Sequence, residues 1–356
     1  MYALPELQIG DMVAEIPVIQ GGMGVGVSGV SLVSAVANEG GIGVLSSAGM
    51  GFDEAGYLKD PVFIATEVLR QEIKNVRKLT KGLVGVNIMV ATSNYANMVK
   101  AAIDERIDFI FAGAGLPLDL PSHLSEEAKT KLVPIVSSAR AATLIARTWI
   151  SRYDYLPDAI VVEGPLAGGH LGFKKEQIND AEFKLQKLVR EVITAVIPFE
   201  VKFGRNIPVI AAGGIYSGSD INEFLDLGAA GVQMGTRFVT TTECDVSDEF
   251  KNCYIQCNEE DIILIDSPVG MPGRAIRNVF LDSMNEGKMN PVNCPYHCIL
   301  SCDVTESPYC IARALLNAKK GKMNCGFAFA GQNAYRSDKI LSVHELFESL
   351  KSEYRA

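Results

Sequence analysis

Eight short apolar runs, spread over the first two thirds of the chain, constrain its fold more than any other feature. They are Ile16–Gly21 (IPVIQG), Gly41–Ser47 (GIGVLSS), Leu83–Val90 (LVGVNIMV), Ile107–Gly113 (IDFIFAG), Leu132–Ser138 (LVPIVSS), Ala159–Gly164 (AIVVEG), Ile207–Gly214 (IPVIAAGG) and Gly231–Thr236 (GVQMGT). Val and Ile dominate them, and the apolar character is continuous, not alternating. That is the pattern of a strand buried on both faces. Helical stretches lie between the runs, including Ser31–Glu39, Ala65–Leu79, Tyr95–Glu105, Ala139–Ile150, Phe183–Val196 and Asp220–Leu227. Strict strand-then-helix alternation implies a parallel sheet. Eight such units predict a closed α/β fold, a (β/α)8 TIM barrel, and not an open sheet. We expect the barrel to occupy residues 1–244. Beyond it the period lapses into cysteine, proline and turn residues, then ends in an amphipathic helix over Val343–Leu350. Residues 245–356 are thus expected to form a C-terminal, cysteine-containing extension that packs on the barrel.

Charge and composition exclude several functions. The chain carries 33 Lys and Arg against 42 Asp and Glu, a net charge of −9, and its basic residues are scattered, so no nucleic-acid surface is expected. Lys174-Lys175 and the cluster Lys319, Lys320, Lys322 read as solvated surface. No apolar run is long enough to span a membrane, and the N-terminal stretch lacks a basic region followed by an apolar one; the expected location is the cytoplasm. All eight cysteines lie at or after Cys244, which in a cytosolic chain argues for thiol or metal chemistry over a disulfide framework.

In a (β/α)8 barrel the chemistry sits on the loops that follow the strands, and the unusual residues fall there. Gly24 through Gly29 match G-x-G-x-x-G between a strand and a helix. The second strand, however, ends in Leu45-Ser46-Ser47 with no acid to hold a ribose, so a dinucleotide fingerprint is set aside. The alternative is a tight loop bringing Gly21, Gly22, Met23 and Gly24 against a flat ring. The loops after strands seven and eight carry Ala212-Gly213-Gly214 and Gly235-Thr236, whose backbone N–H groups suit a phosphate; Asp220 is expected to cap the following helix. The loop after strand six, Glu163 to Gly172, holds His170 among glycines. An imidazole there can take a proton near neutral pH. His123, His297 and His344 have no such setting and read as structural or surface.

Cys294, Cys298 and Cys302 are spaced four apart and Cys310 follows eight later. In a helix the first three would line one face. Four thiolates in this span suit an iron–sulfur cluster or a zinc ion, and they also fit free thiols. Cys244, Cys253, Cys257 and Cys325 read as structural.

The segments IPVIQGGMGVG, VNIM, SSAR, VEGPLAGGHLGF, IPVIAAGGI and GVQMGTRF together resemble the nitronate monooxygenase (2-nitropropane dioxygenase-like) flavoproteins, a family that includes FMN-dependent enoyl-ACP reductases. The resemblance implies FMN, with Gly22, Met23 and Asn87 on the flavin, Gly213, Gly214, Gly235 and Thr236 on its phosphate, and His170 as catalytic base. With the neighbouring strand ends, the expected cofactor site also includes Gly21, Gly24, Ser138, Glu163, Gly168, Gly169, Ala212, Gln233 and Met234. The segments SPVGMPGRAIRN, CPYHCILSC and AFAGQNAYRSDKILSVHEL are similar to a Helicobacter-type branch of acyl-ACP dehydrogenase/isomerases. That similarity implies a 4Fe–4S cluster on Cys294, Cys298, Cys302 and Cys310 and an acyl chain on acyl carrier protein as substrate; a small nitroalkane is the alternative, and NAD(P)H the co-substrate of the reductase reading. Arg274, Arg277 and Lys319–Lys322 are the candidates to steer an acidic carrier. The assembly is left open, with a homodimer among the options.

Overall fold

The computed structural model describes residues 4–287, 294 and 296–354. All eight predicted runs are strands. In chain order the strands are β1 (Leu7–Ile9), β2 (Met12–Ala14), β3 (Val18–Gln20), β4 (Gly43–Ser46), β5 (Val84–Met89), β6 (Phe109–Gly113), β7 (Lys131–Val136), β8 (Ile160–Glu163), β9 (Gly169–His170), β10 (Val209–Ala212), β11 (Gly231–Met234), β12 (Ile262–Asp266) and β13 (Pro272–Ile276). The large sheet runs β3-β11-β10-β8-β7-β6-β5-β4, every pair parallel. Its two ends meet: Gln20 N–H donates to the Ile42 carbonyl at 2.9 Å and Ile42 N–H to the Val18 carbonyl at 3.0 Å. The sheet is therefore a closed eight-stranded barrel, as the alternation required.

Two apolar clusters explain why the strands carry no polar face. Phe109, Phe111, Val133, Val161, Ile210 and Ala212 fill the barrel interior, joined by Leu7 and Ile9 of the β1–β2 hairpin. Their strand neighbours Ile110, Ala112, Ile160, Val162, Val209 and Ala211 point outward into the larger core shared with the helices. Alternate residues are thus buried on opposite sides.

Seven of the eight barrel strands are followed by a helix close to the predicted span: Val30–Asn38, Pro61–Leu79, Tyr95–Asp104, Ala139–Tyr153, Leu185–Phe203 and Gly218–Asp226, with the four-residue Thr236–Val239 after β11; β6 is followed instead by the short 3-10 turn Leu120–His123. The Gly218–Asp226 cap differs in detail from expectation. Ser217 is the N-cap, and Asp220 at the third helical position returns hydrogen bonds to the Tyr216 and Ser217 N–H groups at 2.9 and 2.8 Å. Helix Val343–Glu353 lies against both Val30–Asn38 and Gly218–Asp226. Phe347 packs on Phe238, and Glu353 pairs with Arg237 at 3.2 Å and accepts from Gly218 N–H at 2.8 Å.

β12 and β13 form a hairpin whose second strand pairs with β9, giving a small antiparallel sheet of order β12-β13-β9. It joins the distal part of the chain to the histidine loop. Among the described residues no helix is long and apolar enough to cross a membrane.

Candidate active site

The interior alternation places Asn87, Glu163 and Gln233 in register with inward-facing apolar residues, at the carboxyl ends of β5, β8 and β11. Apolar filling thus gives way to amide and carboxyl groups at the mouth of the barrel. The chain leaving β3 crosses this layer closely. A Cβ on Gly22 would stand 2.5 Å from Asn87 Cβ, and one on Gly21 would stand 3.2 Å from Gln233 Cγ. At position 22 only glycine passes, and at position 21 a side chain would displace Gln233. Beyond it the G-x-G-x-x-G segment binds itself: Met23 N–H donates to Ser28 Oγ at 2.8 Å and Ser28 N–H to the Met23 carbonyl at 3.1 Å. Buried Gln20 holds the loop from below, donating to Ser28 Oγ at 2.8 Å and accepting from Val44 N–H at 3.1 Å. Gly24 abuts Ala48, and Met23 lies against Gly235.

The turn after β10 has two consecutive left-handed residues, Gly213 (φ 96°) and Gly214 (φ 85°). A Cβ on Gly213 would meet the Gly164 carbonyl at 2.9 Å, and one on Gly214 would meet Leu166 Cβ at 2.8 Å. The glycines therefore let this turn pass beneath the histidine loop while keeping main chain exposed to a ligand. Gly235 and Thr236 follow β11 alongside, where Met234 is buried. Ser138 is the N-cap of Ala139–Tyr153, accepting from Ala141 N–H at 3.3 Å.

His170 sits in β9, paired in register with Gly273 of β13. Its Nε2 is 2.7 Å from Ser267 Oγ, and its ring meets Phe329 edge-on, centroids 5.0 Å apart. Burial pushes the imidazole down to about 4, so it is neutral at physiological pH. Burial also raises the Glu163 carboxyl to about 7. The loop before His170 is anchored by Arg274, 2% exposed, whose guanidinium donates to the Pro165 and Ala167 carbonyls at 2.5 and 2.7 Å. Arg274 therefore cannot steer a carrier protein: strand β13 turns it inward to satisfy loop carbonyls. Arg277 is paired with Asp282 at 2.9 Å and Lys320 with Asp53 at 2.6 Å.

Residues beyond 325, singled out in the sequence only by resemblance, complete the site. Gly331 N–H donates to Thr236 Oγ1 at 2.9 Å, Asn333 donates to the Gly214 carbonyl at 2.5 Å, and Gln332 N–H donates to the Leu166 carbonyl at 3.1 Å. Gly168 is pressed so close to Ala330 and Gly331 that a Cβ would meet their backbone at 2.6 Å. Ser267, Arg274 in this role, Phe329 and Asn333 were not found by reading motifs. Each sits far from its partner in sequence, and the one available signal was the resemblance of the segments that hold them.

The cysteines depart from expectation. All eight are free thiols. The stretch from Tyr296 to Cys302 is not helical; Ile299 instead bridges antiparallel to Thr92, and Leu300 N–H donates to the Ala91 carbonyl at 3.0 Å, fixing it to the loop after β5. Tyr296 stacks on Phe52, centroids 4.4 Å apart. Cys294, Cys298, Cys302 and Cys310 line one cavity of about 260 Å³, and burial, reinforced by the other three thiols, raises Cys298 to about 12. Yet among the described residues no three His, Cys, Asp or Glu side chains are grouped so as to hold a metal ion. The expected ligand set shares a cavity without forming a coordination sphere. His297 lines that cavity, exposed, and His344 pairs with Glu39 at 3.1 Å on the surface.

Comparison with known proteins gives this site a family. The nitronate monooxygenase family profile matches residues 7–103 and 91–353. A 5-hydroxy-7a-methyl-1-oxo-octahydro-1H-indene-4-carboxyl-CoA dehydrogenase of Mycobacterium tuberculosis is 33% identical over 273 residues, 77% of this chain; the match spans 66% of that relative's own length. A probable nitronate monooxygenase of Staphylococcus aureus is 30% identical over 308 residues, covering 76% of this chain and 78% of that one. The solved structure of FabK from Thermotoga maritima superposes with a TM-score of 0.73 at 28% identity, covering 95% of this chain and 92% of that one. The chain belongs to the nitronate monooxygenase family and is an oxidoreductase of it.

Proposed function

We propose that this protein is an FMN-dependent dehydrogenase of acyl thioesters, with an acyl chain on acyl carrier protein as substrate and His170 as the proton-transfer base. The observation that carries the reading is a neutral imidazole fixed at the mouth of the barrel, on a loop threaded between two glycine turns. The residues fit FMN. Gly21 and Gly22 give a surface without side chains above Asn87 and Gln233, where a flat ring needs close approach. Gly213, Gly214, Gly235 and Thr236 give main-chain N–H groups where a phosphate needs donors. Bound there, FMN would supply a hydride acceptor.

The protein's own part is acid–base work. The α-hydrogen of a thioester is acidic because the carbonyl takes up the charge. His170, uncharged, has a lone pair to receive that proton, while the β-hydride leaves to the oxidant and a C=C bond forms. Once His170 has released that proton, taking a γ-proton from the enoyl thioester and returning a proton at the α-carbon would move the double bond, the isomerase half of the expectation. Phe329 and Ser267 flank the imidazole, and its partial burial keeps the lone pair unprotonated. The name of the Mycobacterium tuberculosis relative, a CoA-thioester dehydrogenase, supports this substrate class.

A second reading, nitronate monooxygenase, is favoured by the Staphylococcus aureus relative. It uses the same base on another carbon acid. Supplying a medium-chain acyl-ACP, a nitroalkane, and an enoyl thioester with NAD(P)H to the FMN-loaded protein separates the dehydrogenase, monooxygenase and reductase readings. Faster turnover of the acyl-ACP supports the proposal, and turnover of only another substrate refutes it.

The four-thiol cavity has the donor chemistry of an iron–sulfur centre or of zinc, but the thiols are not drawn into a ligand sphere, and no step here passes through a metal. Iron and labile-sulfide assays on protein purified without oxygen decide this. About four irons per chain would support the cluster, and iron-free protein would remove it.

A further inference from the structure

We propose that Ser267 is the positioning residue of His170: its hydroxyl accepts the Nε2–H bond, fixes that tautomer, and leaves Nδ1 as the basic nitrogen. This deepens the reading of His170 as a base and rests on it. The two side chains come from segments 97 residues apart, yet they ride on one piece of structure. Ser267 begins the turn between β12 and β13, held by its N–H to the Met271 carbonyl at 3.1 Å and by Gly270 N–H to its own carbonyl at 3.0 Å. β13 in turn pairs with β9, with Gly273 opposite His170, and Leu171 N–H donates to the Pro272 carbonyl at 2.9 Å. The hairpin therefore fixes the distance between hydroxyl and imidazole.

Ser267 is 6% exposed, which limits competition from water for its hydroxyl. Among the described residues, Nδ1 of His170 has no hydrogen-bond partner and Ser267 Oγ has none besides His170. A neutral imidazole has one N–H and one lone pair. If Ser267 donated to Nε2, the lone pair would be consumed and Nδ1 would carry hydrogen, leaving no base. With Ser267 accepting, the lone pair is at Nδ1. When Nδ1 takes the substrate proton, the Nε2–H bond to Ser267 becomes charge-assisted and stabilises the imidazolium as it forms. Among the described residues, no charged group enters from the packed elements. Phe329 brings an aromatic edge, Arg274 turns to the Pro165 and Ala167 carbonyls, and Asp266 pairs outward with Lys175 at 2.7 Å.

The test is ¹⁵N-histidine spectroscopy of the full chain across pH, with the His170 signals assigned from the loss of signal in His170→Gln. The wild type is expected as the Nε2–H tautomer. Ser267→Ala is expected to mix the tautomers and lower the imidazole pKa by about one unit, and Ser267→Thr, which keeps a hydroxyl, to restore both. Turnover should follow: Ser267→Ala lowers kcat about tenfold or more with KM nearly unchanged, and Ser267→Thr recovers it. Unchanged tautomer and titration in Ser267→Ala would overturn the proposal, as would an Nδ1–H tautomer in the wild type. If His170→Gln keeps full turnover, the base reading fails on its own, while the spectra still judge the contact with Ser267.

Discussion

The barrel and the chain beyond residue 245 share the site but contribute different things. The barrel supplies walls and a mouth: eight strands with apolar residues on both faces, glycines that let main chain approach a ligand, and a histidine on a loop. The distal part supplies the environment that gives the histidine its character. Ser267 binds its Nε2, Phe329 meets its ring edge-on, Arg274 holds the loop that carries it, and the segment 331–333 bonds to that loop through Gln332 and to both glycine turns through Gly331 and Asn333. A barrel without these contacts would still have a histidine at its mouth, but a solvated and mobile one. The reactive group and its tuning are thus encoded in different stretches of sequence.

Substitutions on the two sides of this division should separate chemistry from support. The largest effect is expected from His170→Gln, which removes the base. Turnover should fall by roughly 10²–10⁴-fold while FMN affinity, measured by fluorescence quenching, stays close to wild type. Arg274→Met comes next. It strips two buried carbonyls of their donor and should cost about 2–4 kcal/mol of unfolding free energy, read by denaturant titration, with a matching loss of turnover as the histidine loop loosens. If Arg274→Met kept full stability, the distal part would not be anchoring the loop.

Glu163→Gln tests the barrel side through pH. Burial raises this carboxyl from 4.5 to about 7. Between those values the folded protein holds a proton that the unfolded chain has lost, so the carboxyl's contribution to stability declines as pH rises and is worst above 7. The variant should gain roughly 1–3 kcal/mol at pH 8 and little at pH 5. His170 acts in the opposite sense. Its depressed value means the unfolded chain binds a proton first as pH falls from 6.5 toward 4, and stability is lost on that side. The smallest effect belongs to Arg277→Ala, whose exposed pair with Asp282 should be worth less than about 0.5 kcal/mol. A larger loss would show that the outer face of the hairpin also matters.

The parts legible in the sequence were those with local causes. β-strands buried on both faces write continuous Val and Ile runs, so β3 to β8, β10 and β11 could be placed, and topology then put Gly22, Asn87, Gly213 and His170 at one end. Ser267, Phe329 and Asn333 could not be found that way, because each acts through a contact more than ninety residues away. Arg274 misled: a single arginine after a proline-glycine pair reads as surface, and only the pairing of β13 with β9 shows that it turns inward. The cysteine spacing misled too, since four-residue steps suggest a helix, while the stretch is instead irregular and pinned by the Ile299–Thr92 bridge to the loop after β5.

The proposed chemistry depends on His170 acting as a neutral base toward a carbon acid. The most direct measurement mixes FMN-loaded protein with a medium-chain acyl-ACP in the absence of oxygen and follows the loss of flavin absorbance in the wild type and in His170→Gln. Rapid bleaching is expected in the wild type, and bleaching slowed at least a hundredfold in the variant with flavin still bound. Equal rates in the two proteins would contradict that chemistry.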